Sequence, residues 1–204
     1  MAKVKICGLT NADDAVKAED EGADFLGFIF FSKSPRAVSP KKVSSIVRAL
    51  GGRALKVGLF LDQDLTYVLE RARECGLDMV QLHGGESPDY VREVKNEFKV
   101  IKTFRIGSSS DAEKTKGYGV ADYFLFDTLK PGVPGGTGEV FDWGLIEGVK
   151  FDRPVFLAGG LKPSNVRQAI ERVKPYAVDV ASGVEAAPGK KDHRLIKEFI
   201  YAAK

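Results

Sequence analysis

A chain of 204 residues with 44% hydrophobic content carries enough apolar material for the full core of one globular domain, so no second domain is needed. The formal charge of +3 arises from Lys and Arg interleaved with Asp and Glu, which describes a solvated surface and argues against a nucleic-acid partner. Met1-Ala2-Lys3 runs at once into a strand, no apolar run has bilayer length, and Cys7 and Cys75 are the only cysteines, so we expect a cytoplasmic protein with no membrane partner, disulfide framework or zinc cluster.

Runs rich in β-branched and aromatic residues predict strands over Val4 to Leu9, Phe25 to Phe30, Leu55 to Phe60, Met79 to His83, Val100 to Ile106, Tyr123 to Asp127, Val155 to Ala158 and Ala177 to Ala181. Amphipathic spacing predicts helices near Ala12 to Glu21, Lys41 to Leu50, Leu65 to Cys75, Pro88 to Glu97, Ala112 to Lys116, Asp142 to Glu147, Pro163 to Val173 and His193 to Ala203. Eight such units with no linker predict an α/β protein, a single (β/α)8 TIM barrel with short loops. The alternative is an open doubly wound sheet. It fits less well, because Gly135-Gly136-Thr137-Gly138 lacks the full dinucleotide fingerprint and no GK[ST] phosphate loop occurs.

In a barrel of this kind, chemistry gathers at the carboxyl ends of the strands and alternate residues point inward. That parity sends Lys5, Cys7, Gln81, His83, Asp127 and Asp179 to one mouth. Leu157-Ala158-Gly159-Gly160-Leu161 and Asp179-Val180-Ala181-Ser182-Gly183 are strands running into small residues, and two such ends side by side, each followed by a helix, would form a phosphate cup. Each glycine taken singly fits a tight turn equally well.

Cys7 at a strand tip is a candidate base or nucleophile if Lys5 brings its pKa from about 8.5 toward neutrality; otherwise it is a small buried hydrophobe. Asp127, set in the apolar Phe124-Leu125-Phe126 strand, is a candidate desolvated acid, with a loop cap as the plainer role. His83 fits acid-base chemistry or a structural hydrogen bond, while His193 falls on the surface. Arg36, in the loop Phe31-Ser32-Lys33-Ser34-Pro35-Arg36, presents a guanidinium fork suited to a substrate carboxylate, or else an ordinary exposed charge. The glycine-rich run Pro131 to Gly138 reads as a mobile cover or a plain surface loop. The scattered Cys7, His83 and Asp127 do not make a metal site, and none is expected.

Lys5-Ile6-Cys7-Gly8-Leu9, Ser34-Pro35-Arg36, Gln81-Leu82-His83-Gly84, Phe126-Asp127 with Gly135-Gly136-Thr137-Gly138, Leu157 to Leu161 with Asn165-Val166, and Asp179 to Glu185 with Pro188 to Asp192 follow one another in order. As a set they resemble the phosphoribosylanthranilate isomerase family of tryptophan biosynthesis. The resemblance implies a cofactor-free Amadori rearrangement of a small phosphoribosyl substrate, an aminoaldose becoming an aminoketose. It assigns Asp127 as the acid that opens the furanose ring and Cys7 as the base that removes the C2 proton. Arg36 matches the anthranilate carboxylate contact, Asp179 and His83 match groups that orient substrate, and Gly159, Gly160, Ser182 and Gly183 match the phosphate cup.

Two rivals stand beside this reading. One is a phosphosugar isomerase of the histidine pathway with a two-phosphate substrate, for which Gly84-Gly85 would form a second cup; the other is a non-catalytic phosphosugar-binding subunit. A homodimer is compatible with the helix pattern, since apolar helix residues serve a core or an interface alike.

Overall fold

The computed structural model describes residues 1–129 and 140–204. Strands β1 (Lys3–Ile6), β2 (Phe25–Ile29), β3 (Leu55–Phe60), β4 (Met79–Leu82), β5 (Lys99–Ile106), β6 (Tyr123–Thr128), β7 (Val155–Leu157) and β8 (Ala177–Val180) close into a barrel. Each pairs in parallel with the next, and β8 returns to β1. Around them lie α1 (Ala12–Asp20), α2 (Pro40–Ala49), α3 (Leu65–Glu74), α4 (Pro88–Lys95), α5 (Ser109–Glu113), α6 (Val166–Val173) and α7 (His193–Ala203).

Local chemistry starts most of these helices. Asn11, Ser39, Asp64, Ser87 and Asp192 each accept a first-turn N–H through the side chain, and Pro40 and Pro88 occupy first helical positions where a missing N–H costs nothing. The expected alternation holds. Phe25, Val57, Met79, Ile101, Leu125 and Phe156 fill the barrel interior, whereas Val4, Ile6, Val80, Leu82, Phe124, Phe126, Val178 and Val180 pack outward against the helix layer.

Two expectations need correction. The helix predicted over Asp142 to Glu147 is only a 3-10 turn, Trp143–Leu145, because the Asp142 carboxylate captures the Gly144 N–H and Gly148, at φ 75°, ends the segment. The helix predicted over His193 to Ala203 is α7, but no helix starts directly at the end of β8. Ser182–Val184 forms a 3-10 turn, and a hairpin of β9 (Glu185–Ala187) and β10 (Lys190–Lys191) intervenes before α7. The Pro131 to Gly138 cover lies outside the described residues. Among those described, no helix is long and apolar enough to cross a membrane.

Phe156 is fully buried in the interior and meets Phe25 edge-on with ring centroids 5.0 Å apart. Phe156→Ala should cost about 3–5 kcal/mol, read as a lowered urea midpoint, because the closed barrel cannot collapse into the space left behind.

Candidate active site

The floor of the site is an ion pair inside the barrel. Register places Lys5 of β1 beside Asp179 of β8, both on the inward parity, and Lys5 Nζ donates to Asp179 Oδ1 at 2.9 Å. The Lys5 side chain has 0% exposure. Burial works against its charge, yet Asp179 and the neighbouring Cys7 more than offset this, so its pKa lies above the ordinary value.

Cys7 follows β1, and its N–H extends the ladder to Val180 O at 2.8 Å. Its thiol rests against Gly27 of β2, where any Cβ would stand 2.8 Å from Sγ; the glycine makes room for the sulfur. The sequence suggested a thiol brought toward neutrality by Lys5. Instead burial pushes the Cys7 thiol above its ordinary value, outweighing the pull of Lys5 and Lys191, with Asp179 adding to the rise. Desolvation of the thiolate is the larger effect in this enclosed position.

Asp127, on β6, behaves as its apolar strand predicts. Burial, with some help from Asp179, raises it to about 6, against the opposing pull of the Thr128 N–H, which donates to Oδ1 at 2.8 Å, and of Arg105 and Lys5. His83 Nε2 stands 3.6 Å from Asp127 Oδ2. Gln81 lies behind this imidazole, its amide nitrogen 3.2 Å from His83 Nδ1 and 3.3 Å from Thr103 Oγ1. Inward parity marked both Gln81 and His83, and pairing of β4 with β5 brings Thr103 beside them.

The two glycine-bearing strand ends do meet. Gly159 (φ 86°) and Gly160 (φ 62°) adopt the left-handed region, and a Cβ on Gly159 would fall 2.3 Å from Thr128 Oγ1. A Cβ on Gly183 would lie 1.9 Å from the Leu161 carbonyl, so the turns approach too closely for any side chain there. Asn165, which had no role in the sequence reading beyond the motif, ties the first turn down: Nδ2 donates to Gly160 O at 3.0 Å and Oδ1 accepts the Lys162 N–H at 2.8 Å. α6 therefore begins only at Val166, later than its predicted Pro163.

Arg36 reaches the same mouth but its fork is engaged: Nε and Nη2 donate to the two oxygens of Glu185 at 2.8 and 2.7 Å. His193 is on the surface as expected, and pairs with Asp14 at 2.9 Å. The Gly84-Gly85 turn is not available as a second cup. Gly84 N–H donates to both Glu86 oxygens at 3.1 Å and Gly85 N–H to Asp62 Oδ1 at 2.6 Å, so carboxylates hold the amides an anion would need.

Cys7, Arg36, His83, Asp127, Asp179 and the turns at Gly159-Gly160 and Ser182-Gly183 all line one cavity of about 430 Å³. Among the described residues no cluster of His, Cys, Asp and Glu is placed to share a metal ion. The cavity thus presents a protonatable carboxyl and a thiol beside a backbone-lined recess suited to an anion.

A family model described as N-(5'-phosphoribosyl)anthranilate (PRA) isomerase matches residues 4–202. The N-(5'-phosphoribosyl)anthranilate isomerase of Pelobacter propionicus is 48% identical, covering 100% of this chain and 96% of the relative. The crystal structure of phosphoribosyl anthranilate isomerase from Thermotoga maritima superposes with a TM-score of 0.94 at 42% identity, covering 100% of this chain and 98% of its own. A phosphoribosyl anthranilate isomerase in complex with reduced 1-(o-carboxyphenylamino)-1-deoxyribulose 5-phosphate superposes at 0.91 and 41% identity, with 100% and 98% coverage.

A carboxyl raised to about 6 costs stability once it ionises. Its contribution is fully present below the unfolded value of about 3.9 and is lost as pH rises through the folded one. Asp127→Asn should therefore be more stable than the parent by ~2–3 kcal/mol at pH 8 in urea unfolding, with the gain vanishing below about pH 4.

Proposed function

This chain belongs to the N-(5'-phosphoribosyl)anthranilate isomerase family and is an isomerase of tryptophan biosynthesis, and we propose that Asp127 and Cys7 carry the acid and base steps of its Amadori rearrangement. The observation that supports this most is the placement of a buried carboxyl with a pKa of about 6 and a thiol on one cavity. The substrate's phosphate sits on the turns at Gly159-Gly160 and Ser182-Gly183, its anthranilate carboxylate meets Arg36, and Asp179 and His83 orient the sugar.

Asp127 donates its proton to the furanose ring oxygen. The C1–O bond breaks as the anthranilate nitrogen supplies its lone pair, leaving a protonated imine. The Cys7 thiolate then takes the C2 proton, and the C–H electrons form the C1–C2 double bond of an enolamine while discharging the iminium. Tautomerisation moves a proton to C1 and yields the ketone. Atoms and electrons balance within the substrate, so no external oxidant or reductant is required.

Asp127 loses its proton near 6, whereas burial raises the Cys7 thiol above its ordinary value, so acid protonated with thiol ionised is the minor arrangement of the singly protonated pair. Lys5 and Lys191 stabilise that arrangement by favouring the thiolate. An ionised Cys7 is a strong base once formed, which compensates for its scarcity.

The test follows the fluorescence of freshly generated phosphoribosylanthranilate. The intact protein should consume it rapidly, and folded Cys7→Ala and Asp127→Ala variants should each lose roughly 10²–10⁴ in kcat. Undiminished turnover in either variant would remove that residue from the chemistry; no turnover in the intact protein would contradict the substrate.

A further inference from the structure

Glu185 and Lys191 stand beside the site without touching the reacting atoms. Glu185 takes Arg36 Nε and Nη2 on its two oxygens, and Lys191 Nζ donates to Glu185 Oε1 at 2.9 Å. The Gly189 N–H adds a contact to that oxygen at 3.3 Å. Both side chains are enclosed: Glu185 is 4% exposed and Lys191 0%, and the Lys191 ammonium is also anchored on Ala181 O at 2.9 Å. The pair spans the β9–β10 hairpin, so a short covalent loop fixes their spacing.

The Arg36 stem is confined as well. Its Cδ lies where a Cβ on Gly8 would come to 2.7 Å, and Gly8 has φ 73°, so only glycine admits the arginine at this point. Nη1 has no partner among the described residues, and Arg36 lines the cavity. One edge of the guanidinium is thus clamped while another remains for a ligand. The cluster of Arg36, Glu185 and Lys191 carries two positive groups and one negative, so clamping leaves it a net attraction for an anion.

We infer that Glu185, braced by Lys191, is the positioning residue that holds Arg36 for the carboxylate of the substrate's aromatic ring, and so sets the preference for a carboxylated substrate over its plain N-phosphoribosyl aniline counterpart. This rests on the reading of Arg36 given above. The physical basis is preorganisation: a free arginine has many rotamers, and binding a carboxylate would have to order it, whereas the bidentate contact to Glu185 has already done so. The competing geometry is a swap, in which Glu185 holds Arg36 only until a ligand carboxylate displaces it. A swap would make Glu185 an inhibitor of binding.

Isothermal titration with reduced 1-(o-carboxyphenylamino)-1-deoxyribulose 5-phosphate and with its counterpart lacking the ring carboxylate separates these. The quantity read is the affinity ratio of the two ligands. Arg36→Met should collapse the ratio toward one; if it does not, the carboxylate reading of Arg36 fails, and this inference with it. Given that collapse, Glu185→Gln should lower the ratio at least about tenfold, and Lys191→Met, which leaves Glu185 unbraced, should lower it by a smaller factor. A ratio unchanged or increased in Glu185→Gln, while Arg36→Met abolishes it, overturns the proposal in favour of the swap. Should Glu185→Gln not fold, Lys191→Met decides: an unchanged or increased ratio counts against the brace.

Discussion

Desolvation at the barrel mouth is the constraint from which the rest of this site follows. Lys5 and Asp179 face each other across the β1–β8 seam with the ammonium wholly removed from water. Such a pair is tolerated only when its geometry is good, and removing one partner would leave an uncompensated charge in the interior. The same enclosure that makes the pair obligatory acts on its neighbours. It raises Asp127 into a range where a carboxylic acid is useful near neutral pH, and it raises Cys7 as well, against the pull of two buried ammonium groups. One enclosed environment therefore raises both the Asp127 carboxyl and the Cys7 thiol.

The end of β8 contributes to several parts of this site at once. Within a few residues it supplies Asp179 to the floor, Ser182 and Gly183 to the anion recess, and Glu185 to the Arg36 clamp, before the hairpin returns Lys191 beneath that clamp. A 3-10 turn and hairpin in place of a direct helix is what allows this density. An α-helix starting at Ser182 would turn successive side chains around its axis, whereas the hairpin returns both Glu185 and Lys191 to the barrel.

Period-two alternation made the strands and their inward residues legible because a parallel barrel buries both faces of each strand differently: apolar toward the helices, polar only near the mouth. Lys5, Gln81, Asp127 and Asp179 could be placed on that basis alone. The corrections fall where a local turn or a tertiary contact overrides the helical or charge pattern. Asp142 to Glu147 has helical spacing, yet Gly144 and Gly148 give the backbone cheaper alternatives. The direction of the Cys7 shift required the balance between burial and charge, and sequence proximity to Lys5 revealed only the charge. Glu185 was visible in its motif without a role, since its partner Arg36 is 149 positions away in the chain. Gly27 and Asn165 shape the site through close approach and a turn, neither of which a single sequence displays.

The most direct test of this account is the pH dependence of Cys7 alkylation by a small neutral reagent, measured on the unliganded protein carrying Cys75→Ser. The cavity admits such a reagent, and reaction rate reports the thiolate fraction. If burial governs the mouth, the rate rises with a midpoint above that of a free cysteine thiol measured alongside. A midpoint near neutrality would mean that Lys5 and Lys191 prevail over desolvation, contradicting the claim that one enclosed environment raises both the Asp127 carboxyl and the Cys7 thiol.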